Sequence, residues 1–368
     1  MSNRIFASIC AGLAILTAPA AAQQAERQTI AGDRVAIYDL VGQVRIEAGT
    51  GNDVTVEIAR GGRDQAQLRV ERGPVETMPG FETLRVVFPA DVISYPKLGR
   101  GSRTEQSVRD DGTFGGNNNG DHNGRWNRRS GRRVTIGANN DGLEAWADLR
   151  IMIPAGRRVD VNVGAGDISI TNVDGHLTVD ASSAPVTARG TKGSLNIDVG
   201  SGTVTVTDAQ GDVSIDTGSG DVELTGFRGT VLSIDTGSGS VAATTVTAES
   251  VNVDTGSGDI VLTGISSPEL KVDTGSGDVD VDLTNDVDVL VIDTGSGSVT
   301  LHVPDNVGAA VDIETGSGGV ESDIPLEVTR WGSDRVTGKI GDGKGRIAVE
   351  TGSGRVRIVK RAGTNTTR

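Results

Sequence analysis

Sulfur and large side chains are scarce in this sequence. One cysteine, Cys10, occurs in 368 residues. It falls in a stretch expected to be removed, which excludes a disulfide or a thiolate metal site in the mature chain. Phe, Trp and Tyr together make up 3%, too little to fill a compact globular core with the usual large side chains. Proline is held to 10 residues against 53 glycines, and the glycines recur at fixed spacing, which excludes a low-complexity linker. Positive charge is also short. The 35 Lys and Arg stand against 49 Asp and Glu, a formal net charge of −14. Duplex binding gains from neutralising phosphates, so no nucleic acid is expected as a partner. Past the first two dozen residues, no apolar run approaches the ~20 residues of a membrane-spanning helix.

Those first residues read as a secretory signal. Arg4 supplies the positive start, Ile5 to Leu16 a short apolar stretch, and Ala20-Ala21-Ala22 a small-residue cleavage site before Gln23. Cys10 has too little chain before it to serve as a lipid-anchoring cysteine. Residues 1–22 are expected to be a signal peptide. The mature protein is expected to be exported to the periplasm, the outer-membrane surface or the medium, with no transmembrane segment left after cleavage.

What the chain does have is a repeat. The tetrapeptide T-G-S-G starts at Thr217, Thr236, Thr255, Thr274, Thr294, Thr315 and Thr351, in steps of 19, 19, 19, 20, 21 and 36. Val199-Gly-Ser-Gly, Ala181-Ser-Ser-Ala and Val163-Gly-Ala-Gly continue the series backwards in steps of 18. The step of 36 reads as two degenerate coils, the missing corner being Trp331-Gly332-Ser333. Apolar pairs spaced by two flank each corner, as Val213 and Ile215 before Thr217 and Val222 and Leu224 after it. Both members of such a pair face one side of a strand. One coil cannot enclose so few apolar groups, but stacked coils bury them in a continuous column. The expected fold is all-β: a single-stranded parallel β-solenoid (β-helix) of about eleven coils of 18–21 residues between Asp160 and Val359. At roughly 4.8 Å per coil the rod is on the order of 50 Å long.

Residues 23–157 alternate like half-buried strands without clear periodicity, as in Val54, Val56 and Ile58, and are expected to be a β-rich region covering the first edge of the solenoid at 158–359. The far edge reads as guarded by the charges Arg355, Arg357, Lys360 and Arg361, ahead of a flexible tail at 360–368. One insertion, 100–133, holds eight Arg against four acids and almost nothing apolar. It reads as a disordered basic loop, either a tolerated insertion or a contact arm for an anionic surface polymer.

The residues with most chemistry form columns. Asp180, Asp198, Asp216, Asp235, Asp254, Asp273, Asp293, Glu314 and Glu350 precede successive corners. Stacked, they make one file of carboxylates whose neighbours repel by about 1 kcal/mol in bulk water and more near protein. Asp in turns offsets this by accepting backbone N–H bonds. Alternatively a row of calcium ions, which prefer all-oxygen sites, is held by Asp216, Asp235, Asp254, Asp273 and Asp293 with Asp221, Asp259 and Asp278 across the corner. D-T-G-S is also the active-site tetrapeptide of aspartic proteases, but that chemistry needs two carboxylates brought together to share a proton, and a column of equivalent copies does not face itself. A carbohydrate-active β-helix, a lyase or hydrolase on an acidic polysaccharide, needs carboxylates with nearby Arg or Lys and a groove; tight corners leave no loops to wall one. His122, His176 and His302 share no coil position.

The V-x-I/V-D-T-G-S-G-D-V-x-L units, entered through Leu149 to Gly156 (L-R-I-M-I-P-A-G), resemble a large bacterial family of exported adhesin-like β-solenoids, domains of unknown function. The resemblance spans roughly Gln28 to Val359 and implies a cell-envelope or surface β-helix with no recognised catalytic residue. Taken together, these features lead to the expectation of a non-enzymatic scaffold, adhesive or structural, meeting envelope or surface polymers or proteins. It needs no cofactor, calcium being the one candidate.

Overall fold

The computed structural model describes residues 25–99, 101–115, 131–138, 141–332 and 334–361. The signal peptide expected at 1–22 lies outside them. Apolar residues two apart on a short strand need covering from above and below, and parallel neighbours in register supply that cover. Each coil has a first arm before its corner and a second arm after it, as in Val231–Thr236 and Val241–Thr247. First arms pair in parallel with Thr217, Thr236, Thr255, Thr274 and Thr294 successively opposed. Second arms align Val222, Val241, Ile260, Val279 and Val299. Ile215, Ile234, Val253, Val272 and Ile292 thus form one buried column, and Leu224, Ala243, Leu262, Val281 and Leu301 the opposing one. The spine is aliphatic, which is why so few aromatics suffice.

The corners demand glycine for lack of room. A Cβ on Gly256 would lie 2.5 Å from the carbonyl oxygen of Gly237 in the coil before it, closer than real side chains come. The small residues recur because every corner presses on the next.

The stack begins earlier in the chain than the T-G-S-G series suggests. Arg34–Ala48 pairs in parallel with Arg157–Thr171 along both arms. Its own corner, Asp39-Leu-Val-Gly42, keeps only the last glycine of the repeat's T-G-S-G. Glu82–Val87 then extends the first-arm sheet and Trp146–Ile153 the second-arm sheet, both parallel to Arg34–Ala48. Antiparallel strands Arg69–Arg72 and Val54–Gly61 lie outside these, and Glu26–Ile30 lies outside Val54–Gly61. The buried rings of Tyr38, Phe88, Tyr95 and Phe114 gather at this end, where strands of differing direction leave larger gaps to fill.

Four expectations need correction. The basic insertion is not loop throughout 100–133: Arg103–Val108 and Arg132–Gly137 form an antiparallel ladder, because Val108, Val134 and Ile136 are apolar enough to be buried. Residues 116–130 lie outside the described residues. The segment around Trp331-Gly332 is no coil. Glu327–Trp331 and Arg335–Ile340 form an antiparallel hairpin whose first strand is wholly exposed, lacking the inward apolar pair that a coil needs. The charged strand Arg355–Lys360 is not the edge, since it lies between Val299–Val303 and Gly319–Ser322. Its cations face acids on neighbouring segments: Arg355 with Glu321 at 3.3 Å, Arg357 with Asp323 at 3.1 Å and Lys360 with Asp305 at 2.7 Å. The tail at 360–368 starts later than expected, because Lys360 ends a strand and Arg361 holds Asp282 through two hydrogen bonds of 2.6 and 3.2 Å. Residues 362–368 lie outside the described residues.

Candidate functional site

The parallel register brings the acids into single file. Asp180, Asp198, Asp216, Asp235, Asp254, Asp273 and Asp293 are opposed in turn, followed by Glu350 and then Glu314. Alternation along each first arm turns these side chains outward while the residues on either side are buried. At the N-terminal end the same position is occupied by Asn162 and Tyr38.

The environment changes along the file. From Asp216 onward the acids are exposed, whereas Asp180 and Asp198 are half-buried. Over this end folds the segment Arg109–Gly115. Its Phe114 meets Tyr38 edge-on at 5.6 Å between ring centres, and Gly115 lies so close to Asp180 that a Cβ there would be 2.7 Å from its Oδ2. Arg109 braces the turn by donating to the carbonyl of Gly115 at 3.0 Å and to Thr113 Oγ1 at 3.2 Å. Burial raises the pKa of Asp198 to about 6, and repulsion from Asp180 and Asp216 adds to it. Asp216, Asp254 and Asp293 are also raised, by burial first and by neighbouring acids of the file second. Burial likewise raises the Tyr38 phenol, keeping it protonated.

The second column is engaged in structure. Asp221 accepts the backbone N–H of Ser240 at 2.9 Å, Asp259 that of Asp278 at 2.9 Å, and Asp278 that of Ser298 at 2.7 Å. Each carboxylate clasps the following coil, the turn role that Asp commonly plays. The corner threonines do the same from inside: Oγ1 of Thr255 donates to the carbonyl of Gly239 at 3.0 Å and that of Thr351 to Gly297 at 2.9 Å. Among the described residues, no three or more His, Cys, Asp or Glu converge as a metal-binding group. The five file acids and the three across the corner are brought into two columns, one outward and one bonded to backbone.

A cleft of about 380 Å³ lies in the N-terminal part, beside the segment that covers the half-buried end of the file, lined in part by Val86, Phe88, Glu71, Asp111, Arg109 and Arg132. Sequence reasoning missed it because its walls come from segments far apart in the chain. Burial pushes Asp111 upward, but hydrogen bonds from Thr113 and Thr77 outweigh that and leave its pKa below the ordinary carboxylate value. Glu71 is 3.7 Å from Arg85. Asp111 is therefore not poised as a proton donor near neutrality.

Parallel coils stacked on an aliphatic spine define the class of fold, and no helix among the described residues is long and apolar enough to cross a membrane. More than half of the chain, residues 148–359, matches the family described as Toastrack DUF4097. The chain belongs to that family, whose function is unknown. No curated protein matches the sequence. Among solved structures, a candidate lipid-binding protein from Parabacteroides distasonis is 12% identical with a TM-score of 0.34, covering 93% of this chain and 98% of that one. A candidate adhesin from Parabacteroides merdae is 9% identical with a TM-score of 0.29, covering 93% and 98%. A candidate cell adhesion protein from Clostridium sporogenes is 12% identical with a TM-score of 0.20, covering 92% and 99%.

Proposed function

We propose that this chain is an exported envelope or cell-surface scaffold that works by contact and not by catalysis, with the outward file of acids as its contact face. The observation carrying this reading is the regular, outward spacing of Asp216, Asp235, Asp254, Asp273 and Asp293 along one side of the stack. The Asp221, Asp259 and Asp278 column holds neighbouring coils together, whereas no Lys or Arg among the described residues pairs with Asp216, Asp235, Asp254, Asp273 or Asp293. A row of carboxylates one strand spacing apart suits cationic groups on a surface polymer or protein. Many weak contacts on a rigid rod add up through high effective concentration.

The test is binding of purified protein to whole cells and to isolated envelope polymers. The triple variant Asp235→Asn, Asp254→Asn, Asp273→Asn is expected to bind at least ~10-fold more weakly, in line with the loss of several linked contacts. Unchanged binding overturns the assignment of the face. Calcium is a separate question for the same file. If the ion bridges these acids in the folded state only, melting temperature rises with added calcium and the triple variant loses that rise; an identical melting curve removes calcium. The second reading, a carbohydrate-active enzyme, draws on the cleft with Glu71, Asp111, Arg109 and Arg132. Release of reducing ends or unsaturated sugars from acidic polysaccharides supports it, and a clean negative panel counts against it.

A further inference from the structure

At the C-terminal end the coils do not stack in chain order. The Thr294 coil is followed in space by the Thr351 coil and only then by the Thr315 coil: Thr294 opposes Thr351, and Thr351 opposes Thr315. The second arms agree, since Arg355–Lys360 has Val299–Val303 on one side and Gly319–Ser322 on the other. The last described segment of the chain is therefore inserted into a slot between two coils made earlier.

The order follows from apolar content. Ile347, Val349, Val356 and Ile358 of the Thr351 coil are all essentially buried. The second arm of the Thr315 coil, Gly319–Ser322, offers only the half-buried Val320. Covering the richer second arm on both sides removes more hydrocarbon from water; the poorer Gly319–Ser322 is left outside, while the apolar first arm Ala309–Thr315 is covered by the antiparallel strand Arg335–Ile340.

We propose that this slot accepts the Thr351 coil of a second copy of the same chain, so that molecules link by exchanging their C-terminal coils. Three observations support it. The inserted coil joins the hairpin strand Arg335–Ile340 through the short link 341–344, where Gly341 and Gly343 have φ of +55° and +71°, a glycine turn that can open into an extended hinge. Its register is the repeat's own, which makes one copy's slot identical to another's. Its ladders and ion pairs, including Arg361 with Asp282, re-form between chains with the same geometry, so that only the connection changes and concentration decides the balance. Reciprocal exchange closes a dimer, and sequential exchange builds a chain of rods. This goes beyond the contact face proposed above. Failure of exchange leaves that face intact.

The experiment uses cysteine pairs in a Cys10→Ser background. Val291 and Ala348 are opposed in the ladder, a separation of ~4.8 Å that suits a disulfide. The double variant V291C/A348C is expected to lock within one chain. Single variants V291C and A348C, unfolded and refolded together at high concentration, are expected to give a 291–348 linked dimer, mapped by mass spectrometry. Its yield should exceed by at least ~10-fold that from A348C refolded with S233C, whose position is not opposite. A locked double variant with no excess of interchain 291–348 product overturns the exchange. Locking of V291C/D312C in place of V291C/A348C overturns the insertion on which it rests.

Discussion

Thr217 and Thr255 occupy equivalent corners and are both fully buried, yet only one hydroxyl is satisfied. Thr255 donates to the carbonyl of Gly239 at 3.0 Å, whereas Oγ1 of Thr217 has no partner. Thr255→Val is expected to cost about 1 kcal/mol, the usual net worth of such a bond. Thr217→Val is expected to be neutral or stabilising, since it removes a buried orphan. Urea unfolding of the two variants checks the contrast. Asp198 gives a second test at this scale. Its pKa in the folded protein is about 6 against an ordinary 3.8, so the folded state holds the proton more tightly than the unfolded chain. The stability this confers is complete below about 3.8 and is lost as pH rises through about 6. Asp198→Asn is therefore expected to raise the melting temperature at pH 7.5 and to flatten the rise in stability that the parent shows between pH 7 and 5. A steeper rise, or a carbon-13 titration of Asp198 near 3.8, contradicts the half-buried environment ascribed to it.

Among elements, the corner and the arm respond to different constraints. Gly256 is limited by the carbonyl of Gly237 next door, so Gly256→Ala is expected to destabilise by roughly 1–3 kcal/mol, the range for overpacking. Thermal unfolding checks it against Ser257→Ala at the neighbouring position. The sequence made these coils legible because one spacing served both arms and the corner: Val213 and Ile215, Thr217, then Val222 and Leu224. The first coil, Arg34–Ala48, escaped because Asp39, Leu40 and Val41 stand where later corners have Thr, Gly and Ser, and because its neighbour in space lies more than a hundred residues away. The hairpin Glu327–Ile340 was misread for the opposite reason, an imposed period of 18 where strand direction reverses. Trp331 is 61% exposed and Val328 43%, outward positions that no column accounts for. The file of acids could be read from sequence; the bonds that distinguish Asp259 from Asp254 required coordinates, because both precede or follow a corner with the same spacing.

Across the whole molecule, charge and shape are distributed unevenly. Cations of the Thr351 coil pair with acids of neighbouring segments at the C-terminal end, the aromatic residues thicken the N-terminal end, and the acids between run along one side of the spine. All of this depends on coils adding one strand spacing each, in the spatial order Thr294, Thr351, Thr315. Spin labels on the first-arm outward positions measure that order directly. With one label at Asn196 and the other at Val291, five coils along, electron–electron distances are expected on the order of 24 Å. Moving the second label to Ala348 and then to Asp312 is expected to lengthen the distance by about 5 Å each time. A shorter distance to Asp312 than to Ala348, or no regular step at all, contradicts the stack.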